Sequence, residues 1–190
     1  MKPSIDNSED KDIMIYQNVW KNLGLALGCL AFALIGYFII FHDNSPNMKR
    51  YIAGWGAIFF FGGGGIVLLA INIYNKIRNI PLLIIGKDRL EMYVQIKGKY
   101  DVLHFSEIDG FRYILFGKSR MIAVDYSEEA KENKYKNSSK IVQKMMGVNE
   151  YYTDAPLNIP ADNLTMKGDD IYAILNNRFT VYKSLGESPR

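Results

Sequence analysis

Residues 23–41 read LGLALGCLAFALIGYFIIF, nineteen consecutive positions without a charged side chain. A helix of that length rises about 28 Å at ~1.5 Å per residue, which is close to the ~30 Å thickness of a hydrocarbon core. Residues 51–75, YIAGWGAIFFFGGGGIVLLAINIYN, form a second uncharged stretch that is long enough to cross a bilayer with some tilt. The sequence therefore predicts two transmembrane helices.

The nine residues between these stretches, HDNSPNMKR, contain Asn, Ser and Pro in a combination that favours a turn. We therefore predict a helical hairpin over residues 13–79, with spans at about 23–41 and 51–75. A cleaved signal peptide is the main alternative for the first stretch, but the preceding residues contain four acids and no A-x-A-like site follows. Lipoprotein processing at Cys29 is a further alternative, and only six apolar residues precede that cysteine.

Basic residues near the ends of the spans predict the orientation of the chain. Two of them, Lys49 and Arg50, lie in the hairpin loop and favour the opposite orientation, with the loop in the cytoplasm. Six lie on the other side: Lys11, Lys21, Lys76, Arg78, Lys87 and Arg89. We therefore expect a multi-pass protein of the inner (cytoplasmic) membrane with both termini in the cytoplasm.

Charge and cysteine content exclude several classes of protein. The net charge is +3 and the basic residues are interspersed with acids, so no nucleic-acid partner is expected. The single cysteine, Cys29, excludes an intrachain disulfide framework and any site built from several thiolates.

Residues 80–185 have the pattern of a water-soluble domain, and short tails are expected at 1–12 and 186–190. Alternating apolar residues separated by turn residues predict an antiparallel meander. Its strands are expected at 82–85, 90–94, 100–105, 110–116 and 121–125. A polar loop over 127–140 leads into a short helix, an edge strand follows at 156–160, and a final helix begins near Asp169.

Four segments carry a resemblance to a known family: Pro81–Ile85, Phe105–Ile108, Ala155–Ile159 and the helix starting near Asp169. The layout resembles a family of small uncharacterised bacterial membrane proteins in which two N-terminal spans precede a domain like the pleckstrin-homology (PH) domain. The resemblance implies a membrane-anchored α+β fold, with a small antiparallel sheet or partial barrel and a closing C-terminal helix. It implies no activity and no catalytic residues.

Candidate chemistry is sparse. His42 ends the first span and His104 lies in a predicted strand, and neither has the convergent partners that an acid–base or metal site needs. The sequence has no nucleophile elbow, phosphate-binding loop or dinucleotide fingerprint. We therefore expect no catalytic residues, no metal and no cofactor, and we expect that the protein is not an enzyme.

Glycines mark the expected contact between the two spans. Small residues let helix backbones approach closely in a bilayer, so a packing role is expected, with a kink or a homodimer contact as alternatives. The glycines concerned are Gly24, Gly28, Gly62, Gly63, Gly64 and Gly65. Asn72 in the second span is expected to make a local hydrogen bond.

A basic set flanks the second span and occupies the first turns of the soluble domain: Lys76, Arg78, Lys87, Arg89, Lys97 and Lys99. These residues are candidates for a surface that contacts headgroups of the lipid bilayer or a protein partner. The alternative is that they only set the topology, since Asp88 and Asp101 interrupt the set.

The leading hypothesis is a membrane-tethered, non-enzymatic binding module that recruits a protein partner or contacts headgroups at the cytoplasmic face. The alternative is an immunity or stress-protection protein that neutralises a membrane-acting toxin. A membrane-embedded enzyme or transporter is the third hypothesis, and spans without ionisable residues argue against it.

Overall fold

The computed structural model describes residues 11–42, 47–95 and 97–186. It divides the chain into two compact units. One unit is formed by residues 18–80, and the other joins the residues that precede 18 to those that follow 80. The predicted tails at 1–12 and 186–190 lie outside the described residues, apart from Lys11, Asp12 and Gly186.

The first unit is a pair of helices. Helix α1 covers Val19–Phe41, and Asn18 caps it by accepting a hydrogen bond from the Lys21 amide. A second helix, 30 residues long, comprises α2 (Met48–Ala57), a π-helical turn (Ile58–Gly62) and α3 (Gly63–Ile77). Both helices are long and apolar enough to cross a membrane.

Two contacts hold these helices in an antiparallel arrangement. Near one end, Asn22 Nδ2 donates a hydrogen bond to Asn72 Oδ1 over 2.9 Å, and both side chains are buried. In the middle, the rings of Phe32 and Phe61 stack with centroids 5.1 Å apart. The predicted hairpin is therefore present, and Asn72 makes an interhelical hydrogen bond as well as one to the Leu68 carbonyl.

The closest approach between the helices occurs at Gly36 and Gly54. A Cβ atom on Gly36 would lie 2.7 Å from the Gly54 carbonyl oxygen and 2.8 Å from the Ala57 Cβ. No side chain fits between backbones at that distance, so both positions require glycine. The prediction did not include this pair.

The glycines that were predicted to pack fall into two groups. Gly65 faces Cys29, with 3.2 Å between an added Cβ and the Cys29 Cβ, and Gly62 faces Ala33 at 3.5 Å. The other four have no atom within 4 Å of an added Cβ: Gly24, Gly28, Gly63 and Gly64. Helical periodicity explains the difference, because one stripe of α1 faces the second helix and Gly24 and Gly28 lie off it.

The second unit contains two antiparallel sheets. The first has the order β1-β2-β3-β4 and the second the order β5-β6-β7. Their strands are β1 (Ile13–Ile15), β2 (Leu83–Ile85), β3 (Arg89–Val94), β4 (Lys99–His104), β5 (Ile108–Phe116), β6 (Ser119–Tyr126) and β7 (Leu157–Pro160). The predicted strands and their antiparallel pairing are confirmed. A short 3₁₀ turn, Phe105–Glu107, separates the strands into two sheets instead of one.

Strand β1 belongs to the sheet although it precedes the helical pair. Ile13 pairs with Ile85 and Ile15 with Leu83, and Ile15 is fully buried. Residues 13–17 are therefore part of the second unit, whereas the sequence placed them in the hairpin. The reason is that β1 pairs with a strand about 70 positions away, and three residues show no periodicity of their own.

A helix replaces most of the loop that was predicted over 127–140, and the short helix predicted after it is confirmed. Helix α4 covers Glu128–Asn137 and α5 covers Lys140–Thr153. Helix α4 is polar all round, so it lacks an apolar stripe, but the Ser127 hydroxyl caps it and the Ala130 side chain is buried. The loop prediction was wrong because capping and packing, not hydrophobic periodicity, stabilise this helix.

The C-terminal helix α6 (Gly168–Gly186) closes the core of the second unit. Its Ile171 and Leu175 side chains are fully buried. Phe105 is also fully buried, and its ring centroid lies 5.8 Å from those of Phe179 and Tyr182 on α6. The predicted closing helix is confirmed, and an aromatic cluster anchors it beside the turn that separates the sheets.

Candidate functional site

The predicted basic residues belong to two turns of one unit and to the end of a helix in the other. Lys87 and Arg89 lie at the β2–β3 turn, whereas Lys97 and Lys99 lie at the β3–β4 turn. These turns are at opposite ends of β3, which is six residues long and therefore spans about 17 Å between its terminal residues. Lys76 and Arg78 lie in the other unit, where the Arg78 guanidinium carbon is 5.7 Å from the centre of the Tyr74 ring.

Carboxylates neutralise part of the basic set. Arg89 Nε donates to Glu91 over 2.6 Å, and its guanidinium also pairs with Asp12 at 3.3 Å and Asp88 at 3.5 Å. The hydrogen bond to Glu91, with the nearby charge of Asp12, raises the pKa of Arg89 above its ordinary value. Because three carboxylates surround Arg89, its charge mainly stabilises the fold and is largely neutralised toward an anionic ligand. Lys97 is paired with Asp101 over 2.9 Å.

The two histidines belong to different units. His42 follows α1, with its ring 5.2 Å from that of Phe38. His104 caps the 3₁₀ turn, where its amide donates to the Glu107 carboxylate over 3.1 Å. Within the described ranges, no group of three or more His, Cys, Asp or Glu side chains is placed to hold a metal ion.

A groove of about 840 Å³ lies between strand β4 and helices α4 and α5. Its floor includes Tyr126 at the end of β6, and Met146 and Leu157 contribute apolar surface. Six uncharged hydrogen-bonding side chains line it: Ser106, Ser127, Asn133, Asn137, Ser138 and Ser139. Charged side chains of both signs also line the groove, among them Lys97, Glu107 and Lys134.

One side of the groove is strand β4, and no described strand pairs with its outer edge. Strand β4 is the last strand of its sheet, and Asp101, Val102 and Leu103 line the groove. The Phe105 amide donates to the Asp88 carbonyl of the neighbouring β2–β3 turn. Because amides alternate in direction along a strand, those of Leu103 and Asp101 also point to β3, and that of Val102 points outward. The outward amide of Val102 therefore has no strand partner among the described residues.

Tyr126 supplies a donor on the groove floor. Burial raises the pKa of its hydroxyl well above the ordinary value, and the charges of Glu107 and Asp101 raise it further. The hydroxyl therefore stays protonated at all physiological pH values and can donate a hydrogen bond to a carbonyl oxygen.

No protein-family model, curated protein or solved structure matches this chain.

Sequence reasoning missed the groove because it treated residues 127–140 as a loop. The signal was present in Ser127-Glu128-Glu129-Ala130, where a serine precedes two acids. The Ser127 hydroxyl accepts from the Ala130 amide, and both acids lie in the first turn of α4. That combination marks a helix N-terminus even without an apolar stripe.

Proposed function

We propose that this chain is a membrane-tethered, non-enzymatic binding module that holds an extended segment of a partner protein beside strand β4. The observation that carries the proposal is the open edge of β4 along a groove of about 840 Å³. An added strand would pair with the outward backbone groups of β4, and α4 and α5 would provide side-chain contacts.

The tether is supported by the helical pair. Large apolar side chains such as Trp20, Phe60 and Ile66 are exposed on its outer surface. Such a surface is costly in water and favourable in lipid. Since β1 and β2 belong to one sheet, the residues before α1 and after α3 lie on the same side of the bilayer, as two crossings require. The excess of Lys and Arg on that side favours the cytoplasm.

The PH-like resemblance remains part of the proposal. Two antiparallel sheets with a closing C-terminal helix agree with the architecture that it implies. In that interpretation, the helical pair is inserted between the first two strands of the domain.

A backbone substitution tests the binding proposal. Val102→Pro removes the outward amide of β4 but leaves the hydrogen bonds to β3, because proline is tolerated on a free strand edge. Val102→Ala is the matched control, since it shortens the same side chain and keeps the amide. We expect a partner captured with the intact protein in mild detergent to be lost with Val102→Pro and retained with Val102→Ala.

Two results would contradict this function. Equal recovery of the partner with both variants, at equal thermal stability, would exclude strand addition at β4. Release of the full chain by a carbonate wash without detergent would exclude the membrane tether.

A further inference from the structure

Helix α5 is apolar on two faces. Met146 on one face is buried against the rest of the unit. The other face exposes Ile141, Met145, Val148 and Tyr152, which follow one another at intervals of four, three and four residues. Positions at these intervals form a continuous stripe along a helix. Ile141 is 74% exposed, so the stripe is not covered by other described residues.

The turn between β5 and β6 extends this stripe. Leu115 is 72% exposed at the end of β5, and the ring of Phe116 meets that of Tyr152 edge to face, with 5.5 Å between centroids. Tyr151, 83% exposed, stands 5.0 Å from Tyr152. We call this surface the aromatic patch, and it comprises Leu115, Phe116, Met145, Val148, Tyr151 and Tyr152.

Lysines border the aromatic patch. Lys118 lies in the β5–β6 turn beside Phe116, and Lys140 and Lys144 are exposed on α5, one turn apart. Glu150 does not offset them, because it pairs with Lys131 over 2.8 Å and accepts a hydrogen bond from the Tyr135 hydroxyl. The exposed acid near the patch is Asp154, at the C-cap of α5.

We infer that the aromatic patch rests on an anionic bilayer surface and gives the domain a second membrane contact besides its helical tether. Tyrosine favours the headgroup region, where its ring and hydroxyl find apolar and wet surroundings, and phenylalanine and leucine favour the adjoining acyl boundary. Lysines at the border of an apolar surface complement anionic headgroups. This charge complementarity favours lipid over a second copy of the chain, whose patch would bring the same lysines together.

The inference rests on the proposed tether but not on the groove beside β4. A patch of this size binds lipid weakly on its own, whereas a tethered domain is held at high effective concentration near the surface. Each lysine should change the ratio of docked to undocked domains by about fivefold on anionic lipid.

Site-specific fluorescence on the full chain in nanodiscs tests the inference. An environment-sensitive dye is attached to Tyr151→Cys in a Cys29→Ala background, and quenching by headgroup-labelled lipid is measured. A dye at Lys99→Cys reports on the β3–β4 turn, and one at Glu132→Cys, on exposed α4, serves as the control. We expect strong quenching at position 151 and weak quenching at the other two.

Lipid composition and charge provide the second comparison. Quenching at position 151 should increase when phosphatidylglycerol is added to phosphatidylcholine discs. With Lys144→Ser, the quenching should decrease by an amount that corresponds to an about fivefold lower ratio of docked to undocked domains. With Lys167→Ser, which changes a lysine outside the patch, the quenching should stay the same. High salt should weaken docking in the same direction.

Three outcomes would overturn the inference. Quenching at position 99 instead of 151 would assign the membrane contact to the basic turn. Energy transfer between patch dyes on two copies, without lipid quenching, would assign the patch to self-association. Equal quenching at all three positions would show no preferred face. Loss of the tether is distinguished separately, because the chain would then leave the discs altogether.

Discussion

Glu150 shows how a single side chain joins two elements. From α5 it pairs with Lys131 and accepts a hydrogen bond from Tyr135, and both partners belong to α4. Burial alone would raise the pKa of Glu150, but the hydrogen bonds from Lys131 and Tyr135 outweigh it and lower the pKa below its ordinary value of 4.5. The charged carboxylate therefore stabilises the packing of α4 on α5.

The sign of this effect gives a prediction at the residue scale. Because the pKa of Glu150 is lowered in the folded state, the charged carboxylate stabilises the fold at pH values above the ordinary pKa of 4.5. This stabilisation is lost as the pH falls through the lowered pKa. We expect Glu150→Gln to lower the thermal unfolding midpoint at pH 7 and to make it less sensitive to acid than the wild type. Circular dichroism melts between pH 7 and pH 3 measure this difference.

Glu132→Gln is the control for that experiment. Glu132 forms an exposed pair with Lys136, and exposed pairs contribute little. If Glu150→Gln and the wild type lost the same stability on acidification, Glu150 would not carry the pH dependence.

At the scale of elements, the contact between α1 and the second helix depends on one close approach. Gly36 and Gly54 bring the two backbones together, and Asn22 and Asn72 join the helices elsewhere through a buried hydrogen bond. The spacing of small residues in the sequence indicates that such a contact exists. It does not select the face, because glycines occur on several sides of each helix.

Gly36→Ala and Gly24→Ala form a matched pair that tests this contact. An alanine at 36 would place its Cβ 2.7 Å from the Gly54 carbonyl oxygen, so the helices must separate, at a cost of about 1–3 kcal/mol. An alanine at 24 meets nothing within 4 Å and should be neutral or stabilising by up to ~1 kcal/mol.

Unfolding in mixed micelles, followed by helicity, compares the two variants. Equal stability of Gly36→Ala and Gly24→Ala would show that the Gly36–Gly54 contact contributes nothing to the hairpin.

At the scale of the whole molecule, the second unit is built from segments on both sides of the helical pair in the sequence. The Leu82 amide donates to the Ile15 carbonyl over 2.8 Å, and the Thr165 amide donates to the Tyr16 carbonyl over 2.9 Å. Arg178 on α6 reaches the carbonyl oxygens of Ile85 and, over 2.6 Å, of Lys11. Residues 11–17 are therefore structural members of the unit.

Truncation provides the corresponding prediction. A fragment of residues 81–190 lacks β1 and loses the burial of Ile15, worth about 1.5–3 kcal/mol, together with the hydrogen bonds to residues 11–16. That loss is large against a typical domain stability of ~5–15 kcal/mol. We expect the fragment to show poorly dispersed NMR spectra and no cooperative melt.

Restoring β1 should rescue the fragment. Residues 11–17 joined to 81–190 by a flexible linker, without residues 18–80, should give dispersed spectra and a cooperative transition. A well-folded 81–190 fragment would contradict the structural role assigned to β1.

The sequence by itself determined the elements whose signal is local. The two uncharged stretches, the alternating strands and the acidic start of α6 each follow from the composition or period of neighbouring residues. The type of each element depends mainly on the pattern of neighbouring side chains, so these elements could be predicted without the fold.

Only the tertiary structure decided which distant segments meet. It added β1 to the sheet, surrounded Arg89 with acids that include Asp12, and placed α4 and α5 beside the open edge of β4. It also separated the basic turns that the sequence had grouped, because consecutive turns of a meander lie at opposite ends of the shared strand. Pairing between residues far apart leaves no periodic trace in either segment, so only the folded chain specifies it.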